Sequence, residues 1–124
     1  MTKDITNFIS GHLSLTEDEF DDHYRAVIDE ALNRNESFVV GDARGADKLA
    51  QKYLLGKTES VVVYHMFTDP RHNVGFDTVG GFQSDQERDA QMMKDSDRDI
   101  AWVRPGREKS GTQKNLNRRN STSP

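Results

Sequence analysis

Apolar and polar positions follow two alternating periods along this chain. Ile5 to Ser10 is a short apolar run that stops at Ser10-Gly11-His12, and it reads as a first strand ending in a turn. Thr16-Glu17-Asp18-Glu19 fits a capping box, with Leu15 and Phe20 placed as a hydrophobic staple. Phe20, Tyr24, Val27, Ile28, Ala31 and Leu32 then recur at helical spacing, which predicts one amphipathic helix over 17–34 with an acidic outer face. Ser37 to Val40 predicts a second strand, closed by Gly41-Asp42. A helix is expected over about 46–55, with Gly56 as its C-terminal cap. Glu59 to His65 is β-branched and aromatic, and predicts a third strand. Residues 66–82 show no period and contain Pro70, Gly75, Gly80 and Gly81, the signature of a long ligand-covering or mobile loop. Residues 83–95 read as a helix with Ala90, Met92 and Met93 on its inner face. Asp99 to Val103 reads as a fourth strand, broken by Arg104-Pro105-Gly106. A last helix from Ser110 or Thr112 to about Arg119 and a frayed tail at 120–124 complete the pattern.

Strands alternating with helices imply an α/β fold with a mainly parallel sheet and helices on both faces. The length of 124 residues suits one domain, expected over 1–119. The composition is polar, 33% hydrophobic and 31% charged, so much of the surface is solvated. The absence of cysteine removes disulfides, thiol catalysis and thiolate metal sites. No run approaches a membrane span, and MTKDITNFIS lacks the apolar stretch of a signal peptide, so a cytoplasmic location is expected. The four histidines have no paired spacing, and neither a metal nor a resident cofactor is expected. Charge is uneven: residues 1–36 carry a net −6 and residues 104–124 a net +5. The basic end attracts an anion or nucleic acid, or is simply solvated.

In α/β sheets, ligands bind beyond the carboxyl ends of the strands, where this sequence places its glycines. Gly41-Asp42-Ala43-Arg44-Gly45-Ala46-Asp47 joins a strand to a helix. Gly41 and Gly45 permit close backbone approach, free amides at the helix start favour an anion, and Arg44 can hold phosphate bidentately. Asp47 in the first turn is placed to orient Arg44 or to accept ribose hydroxyls. The bland alternative is a tight turn with a capping Asp. Pro105-Gly106 followed by Ser110-Gly111-Thr112, with Arg107 and Lys109 between, makes a second candidate cradle, although it lacks the P-loop pattern. Arg88 on the 83–95 helix is a third candidate, pointing back toward the ligand or lying in a surface ion-pair network. Ser10, Gly11 and His12 are a fourth.

Taken in order, these segments resemble the SLOG superfamily, which includes DprA-like DNA-processing proteins, the lonely-guy phosphoribohydrolases and YpsA-like proteins. Gly-Asp-Ala-Arg-Gly-Ala-Asp-Lys-Leu-Ala at 41–50 is similar to the Gly-Gly-x-Arg-Gly-x-Asp loop of the YpsA-like branch. Glu87-Arg88-Asp89-Ala90-Gln91-Met92, Ser96-Asp97, Pro105-Gly106 and Gly111-Thr112 follow the order of the phosphoribohydrolase signature. The resemblance spans about 5–119. It implies a Rossmann-like three-layer sandwich binding a nucleotide or nucleotide derivative, with Gly41, Arg44, Gly45, Gly111 and Thr112 along phosphate and ribose, and it aligns Arg88 with a catalytic arginine. Where the phosphoribohydrolases carry a catalytic Glu, this chain has Asn115, which is no acid or base at neutral pH.

The leading expectation is therefore a binding module (sensor, carrier or sequestering protein) for a nucleotide, an ADP-ribose-type or NAD-derived molecule, or a signalling nucleotide, using Ser10, Gly11, His12, Gly41, Asp42, Arg44, Gly45, Asp47, Arg88, Pro105, Gly106, Ser110, Gly111, Thr112 and Asn115. The alternative is an N-glycosidic hydrolase of nucleoside monophosphates, with Arg88 and Asp47 as catalytic candidates and Asp42, Asp85 or Glu87 as other carboxylates. Single-stranded nucleic-acid binding through the basic end is less favoured, because the aromatics do not interleave with the basic run. A homo-oligomer is compatible with the pattern, and no membrane partner is expected.

Overall fold

The computed structural model describes residues 5–66, 71, 73–106 and 116. The elements run β1 (Thr6–Ile9), α1 (Glu17–His23), α2 (Arg25–Asn33), β2 (Ser37–Gly41), α3 (Ala46–Leu54), β3 (Val61–Met66), β4 (Asp77–Phe82), α4 (Asp85–Lys94) and β5 (Arg98–Ile100). The strands form one five-stranded sheet in the order β4-β3-β2-β1-β5. Every pairing is parallel, with Ile9 opposite Val40 and Ile100, and Val40 opposite Val63. The chain is thus an α/β Rossmann-like sandwich.

Strand alternation builds two apolar layers. Ile9, Phe38, Val40, Val61, Val63 and Ile100 face α1, α2 and α3, and bury Phe20, Tyr24, Ile28, Ala50 and Leu54. Phe8, Val39 and Tyr64 point the other way and close on Met92 of α4. Met93 packs beside them, but Ala90 is only half-buried. One turn before Met92, the same face of α4 carries Arg88, which is also buried. A helix with a charged residue on its inner face must bring it to a partner, and that partner sits at the end of β2.

The local punctuation follows the side chains. Thr16 accepts from the Glu19 amide and Glu19 accepts from the Thr16 amide, completing the capping box. Leu15 and Phe20 are both buried in the first layer. Gly56 adopts φ +83° just past α3, and the Lys57 amide turns back to the Leu54 carbonyl.

Three expectations are corrected. The single helix over 17–34 is two, α1 and α2. Hydrogen bonds from Tyr24 to Phe20 and from Ile28 to Tyr24 run through the junction, so the helix is distorted at Tyr24 (φ −117°) rather than ended. The loop over 66–82 contains β4. Its signal was hidden because five of its six residues are exposed, which leaves no apolar alternation. Gly80 is needed there, since a Cβ would lie 2.2 Å from the His65 ring. The fourth predicted strand, β5 here, leaves the sheet after Ile100 instead of continuing to Val103. The Trp102 amide donates to the Tyr24 hydroxyl and the Arg104 amide to His12 Nε2, so side chains replace the ladder. The expected final helix and tail lie outside the described residues, apart from Leu116.

Candidate functional site

Gly41 ends β2 on the α4 side of the sheet, opposite Tyr64 of β3 and one residue past the Ile9–Val40 pair with β1. A Cβ at Gly41 would stand 2.5 Å from Asp47 Oδ2 and 3.0 Å from Arg88 Cζ. The missing side chain is therefore the space in which a carboxylate and a guanidinium sit above the strand end. The Gly41 carbonyl accepts from Gln51 Nε2 at 3.0 Å, which ties α3 to the same point.

Asp42 is wholly buried. Its Oδ2 accepts from the Arg71 amide at 2.7 Å and Arg71 Nε at 3.2 Å, and its Oδ1 from Arg71 Nη2 at 2.8 Å and Arg88 Nη1 at 3.0 Å. Burial pushes the Asp42 pKa up, but the Arg71 hydrogen bonds and the two cations outweigh it, and the carboxyl is held below its usual range. Arg88 also reaches Asp85 at 3.1 Å and Asp89 at 2.9 Å, and Arg71 reaches Asp85 at 2.9 Å. This is the charge-assisted geometry that makes guanidinium–carboxylate contacts strong.

Asp47, five residues later, behaves oppositely. It is buried, and its Oδ2 accepts the Ala43 amide at 3.1 Å. Burial dominates over the pull of Arg88 and the Ala43 amide, and the pKa is pushed up to about 7. Two aspartates in one loop thus have opposite protonation tendencies, set by whether a guanidinium bonds directly to the carboxylate. The expected pairing of Asp47 with Arg44 does not occur. Asp47 is turned inward toward Ala43 and Arg88, and Arg44 is exposed.

Gly45 (φ +73°) is demanded by its neighbours. A Cβ there would meet the His12 and Leu13 carbonyls, each at 2.4 Å. The Ala46 amide at the start of α3 donates to the His12 carbonyl at 3.1 Å. The close approach expected at Gly45 is therefore to the protein's own β1–α1 loop, and one of the amides expected to face an anion is already spent.

At the end of β1, the Ser10 carbonyl accepts from the Tyr24 hydroxyl at 2.8 Å, while its buried Oγ has no partner among the described residues. Gly11 leaves no room for a Cβ, with Tyr24 Oη at 2.3 Å and Ala46 Cβ at 2.5 Å. His12 is buried, accepts from the Arg104 amide at 2.8 Å and meets Trp102 edge-on. Arg104 then clasps Glu19 at 2.6 Å and 2.9 Å and Ser14 at 3.1 Å. Pro105 and Gly106 follow as an exposed turn, with Gly106 at φ +89°.

Outside the buried network lies an open cleft of about 470 Å³ lined by Leu13, Asp42, Ala43, Arg44, Lys48 and Arg71. Arg44 and Lys48 make no hydrogen bond or ion pair among the described residues. The expected residues Gly41, Asp42, Arg44, Gly45, Asp47 and Arg88 are thus gathered at the end of β2. Ser10, Gly11 and His12 stand beside them, and Ser110, Gly111, Thr112 and Asn115 lie outside the described residues. Sequence reasoning missed Arg71, Lys48 and Leu13. Lys48 follows Arg44 at a four-residue spacing that was readable, whereas Arg71 gives no local signal because only the folded chain brings it to Asp42.

Among the described residues, no helix is long and apolar enough to cross a membrane, and no three His, Cys, Asp or Glu side chains are grouped to hold a metal. The chain matches no protein-family model, and comparison with curated proteins returned no match.

Proposed function

We propose that this chain binds a phosphate-bearing, nucleotide-type ligand in the cleft at the carboxyl end of β2, as a sensor, carrier or sequestering module, and that it is a SLOG-like domain. The observation that carries this reading is the state of the cations. Arg71 and Arg88 are consumed by Asp42, Asp85 and Asp89, whereas Arg44 and Lys48 line the same cleft with no partner among the described residues. A pair of uncommitted cations in a concave site attracts an anion. The cleft volume of about 470 Å³ suits a small molecule. The test is a thermal-shift screen of nucleoside mono-, di- and triphosphates, NAD and ADP-ribose on the wild type and on Arg44→Ala/Lys48→Ala. A ligand well above its Kd is expected to raise the melting temperature of the wild type by several degrees, and that of the folded double variant by much less. No shift with any of them, or the same shift in both proteins, would refute the site.

A second reading, an N-glycosidic hydrolase, draws on one observation. The Asp47 carboxyl, pushed up to about 7, is poised to hold and give a proton near neutrality, as departure of a base requires. Free base released by the wild type and not by Asp47→Asn would establish it. Ligand recovered unchanged leaves the binding module.

A further inference from the structure

The cleft is chemically two-sided, and from that sidedness we infer that its ligand is a nucleoside diphosphate or a diphosphate ester, with the diphosphate against Arg44 and Lys48 and the base on Leu13. This rests on the binding reading above and narrows it. Leu13 is 55% exposed, the most exposed large apolar side chain among the described residues. A lone exposed leucine needs no explanation. This one, however, lines the same cleft as the two uncommitted cations, and Ala43 provides further apolar surface beside it.

Its loop is also built to hold it there. The His12 carbonyl accepts from both the Leu15 and Ala46 amides, and the Leu13 carbonyl lies against Gly45, where only glycine fits. Arg104 pins the following residue through the Ser14 hydroxyl and carbonyl. The leucine is therefore presented from a fixed backbone, and a fixed apolar platform loses little entropy when it stacks on a flat ring.

The charges set the other half of the ligand. Among the described residues, Asp42 is the one acid lining the cleft, and it is neutralised by Arg71 and Arg88 together. Arg71 is in turn bound to Asp85 as well. The excess positive charge facing the cleft is then that of Arg44 and Lys48. Two cations without internal partners can each take one phosphate of a diphosphate. Inorganic diphosphate would satisfy the cations but leave Leu13 in water, and a bare nucleoside would do the reverse.

Isothermal titration of the wild-type chain with ADP, GDP, AMP, GMP and inorganic diphosphate tests the assignment. The nucleoside diphosphates are expected to bind most tightly, with both AMP and inorganic diphosphate weaker by roughly tenfold or more. Leu13→Ser is expected to weaken ADP and GDP about tenfold and to leave inorganic diphosphate within about twofold. Leu13→Phe, which enlarges the platform, is expected to retain or improve nucleotide affinity, and it serves as the folded control if Leu13→Ser is unstable. Arg44→Ala is expected to weaken all phosphate ligands. If ADP and GDP bind no tighter than inorganic diphosphate, or if neither Leu13 variant changes nucleotide affinity, the platform assignment falls while the anion site stands. AMP binding as tightly as ADP removes the diphosphate. If nothing binds, inorganic diphosphate included, the underlying binding reading falls with it.

Discussion

The carboxyl ends of β1 and β2 lie side by side and are closed by opposite means. At β1 the closure uses neutral groups and the chain's own backbone: the Tyr24 hydroxyl between the Ser10 carbonyl and the Trp102 amide, and His12 Nε2 accepting from the Arg104 amide. Among the described residues its one ion pair, Arg104 with Glu19, stays in contact with water. At β2 the closure is ionic and buried, with Asp42 fully enclosed and Arg88 nearly so. The strand order reverses at β1, with β5 on its far side, and the general rule places a ligand at that crevice. Among the described residues the crevice is instead filled by Trp102, His12 and Arg104, and the open cleft stands one strand away. At β1 the Tyr24 hydroxyl, the Trp102 and Arg104 amides and His12 Nε2 are satisfied internally, while the Ser10 Oγ has no partner among the described residues. At β2 the inner cations are consumed by acids, which leaves the outer pair, Arg44 and Lys48, for something else.

The largest effect should come from breaking the buried closure. Asp42→Ala leaves Arg88 enclosed and Arg71 without its main partner. Removing one member of a buried ion pair costs about 3–5 kcal/mol. Urea unfolding is expected to show that loss. A change below about 1 kcal/mol would mean that the network is solvated and that the contrast with β1 is wrong.

A comparable effect is expected from pH at Asp47. Its folded pKa, pushed up to about 7, lies above the unfolded value of 3.8. The folded state therefore binds more protons between those values, and stability falls as pH rises from about 4 to 7. At 1.36 kcal/mol per pKa unit, the loss is up to about 4 kcal/mol. Asp47→Asn mimics the protonated form and can still accept the Ala43 amide. Its stability is expected to be flat over that window and to exceed the wild type at pH 8. A wild-type curve that rises toward pH 7 would show that Arg88 holds Asp47 ionised.

These two aspartates also show how far the sequence could be read. The loop 41–47 was legible as a candidate site because glycines and charges at a strand-to-helix junction have few structural uses, and the structure gathers those residues at the end of β2. The roles within it were not legible. Asp42 and Asp47 differ in whether guanidinium groups bond directly to the carboxylate, and for Asp42 that depends on Arg88 and on Arg71, 29 residues beyond it in sequence and with no periodic signal around it. Gly45 was read correctly as a place of close approach, but what approaches is the His12–Leu13 backbone. The parallel sheet was readable wherever strands are buried on both faces. β4 escaped because an exposed edge strand held by backbone pairing carries no apolar pattern.

Gly45→Ala tests the seam between the two closures. An L-residue at φ +73° costs about 1–2 kcal/mol, and contact with two carbonyls adds to it. Gly56→Ala, at φ +83° with nothing within 4 Å, carries the torsional cost alone. Thermal unfolding is expected to rank Gly45→Ala below Gly56→Ala. The reverse order would mean that the β1–α1 loop yields freely and does not fix the seam.

The smallest effect should fall on the β1 side, where the closure is spread over weak contacts. Thr16→Ala removes the acceptor for the Glu19 amide, and loss of such a cap costs about 1 kcal/mol. For a chain of this size that lowers the melting temperature by roughly 3–5 °C. The Arg104 hydrogen bond, aided by the Thr16 amide, holds the Glu19 pKa down to about 2, and both contacts survive in Thr16→Ala. Glu19 therefore stabilises the fold above its unfolded value of 4.5, and that contribution is lost as pH falls toward 2. Thr16→Ala is expected to shift the whole stability curve down without changing its acid limb. Glu19→Gln, which weakens the Arg104 clasp while keeping a group that can accept from Thr16, is expected to flatten that limb. If Thr16→Ala flattens it equally, the capping box holds Glu19 in place for Arg104, and the β1 closure is as cooperative as the buried one at β2.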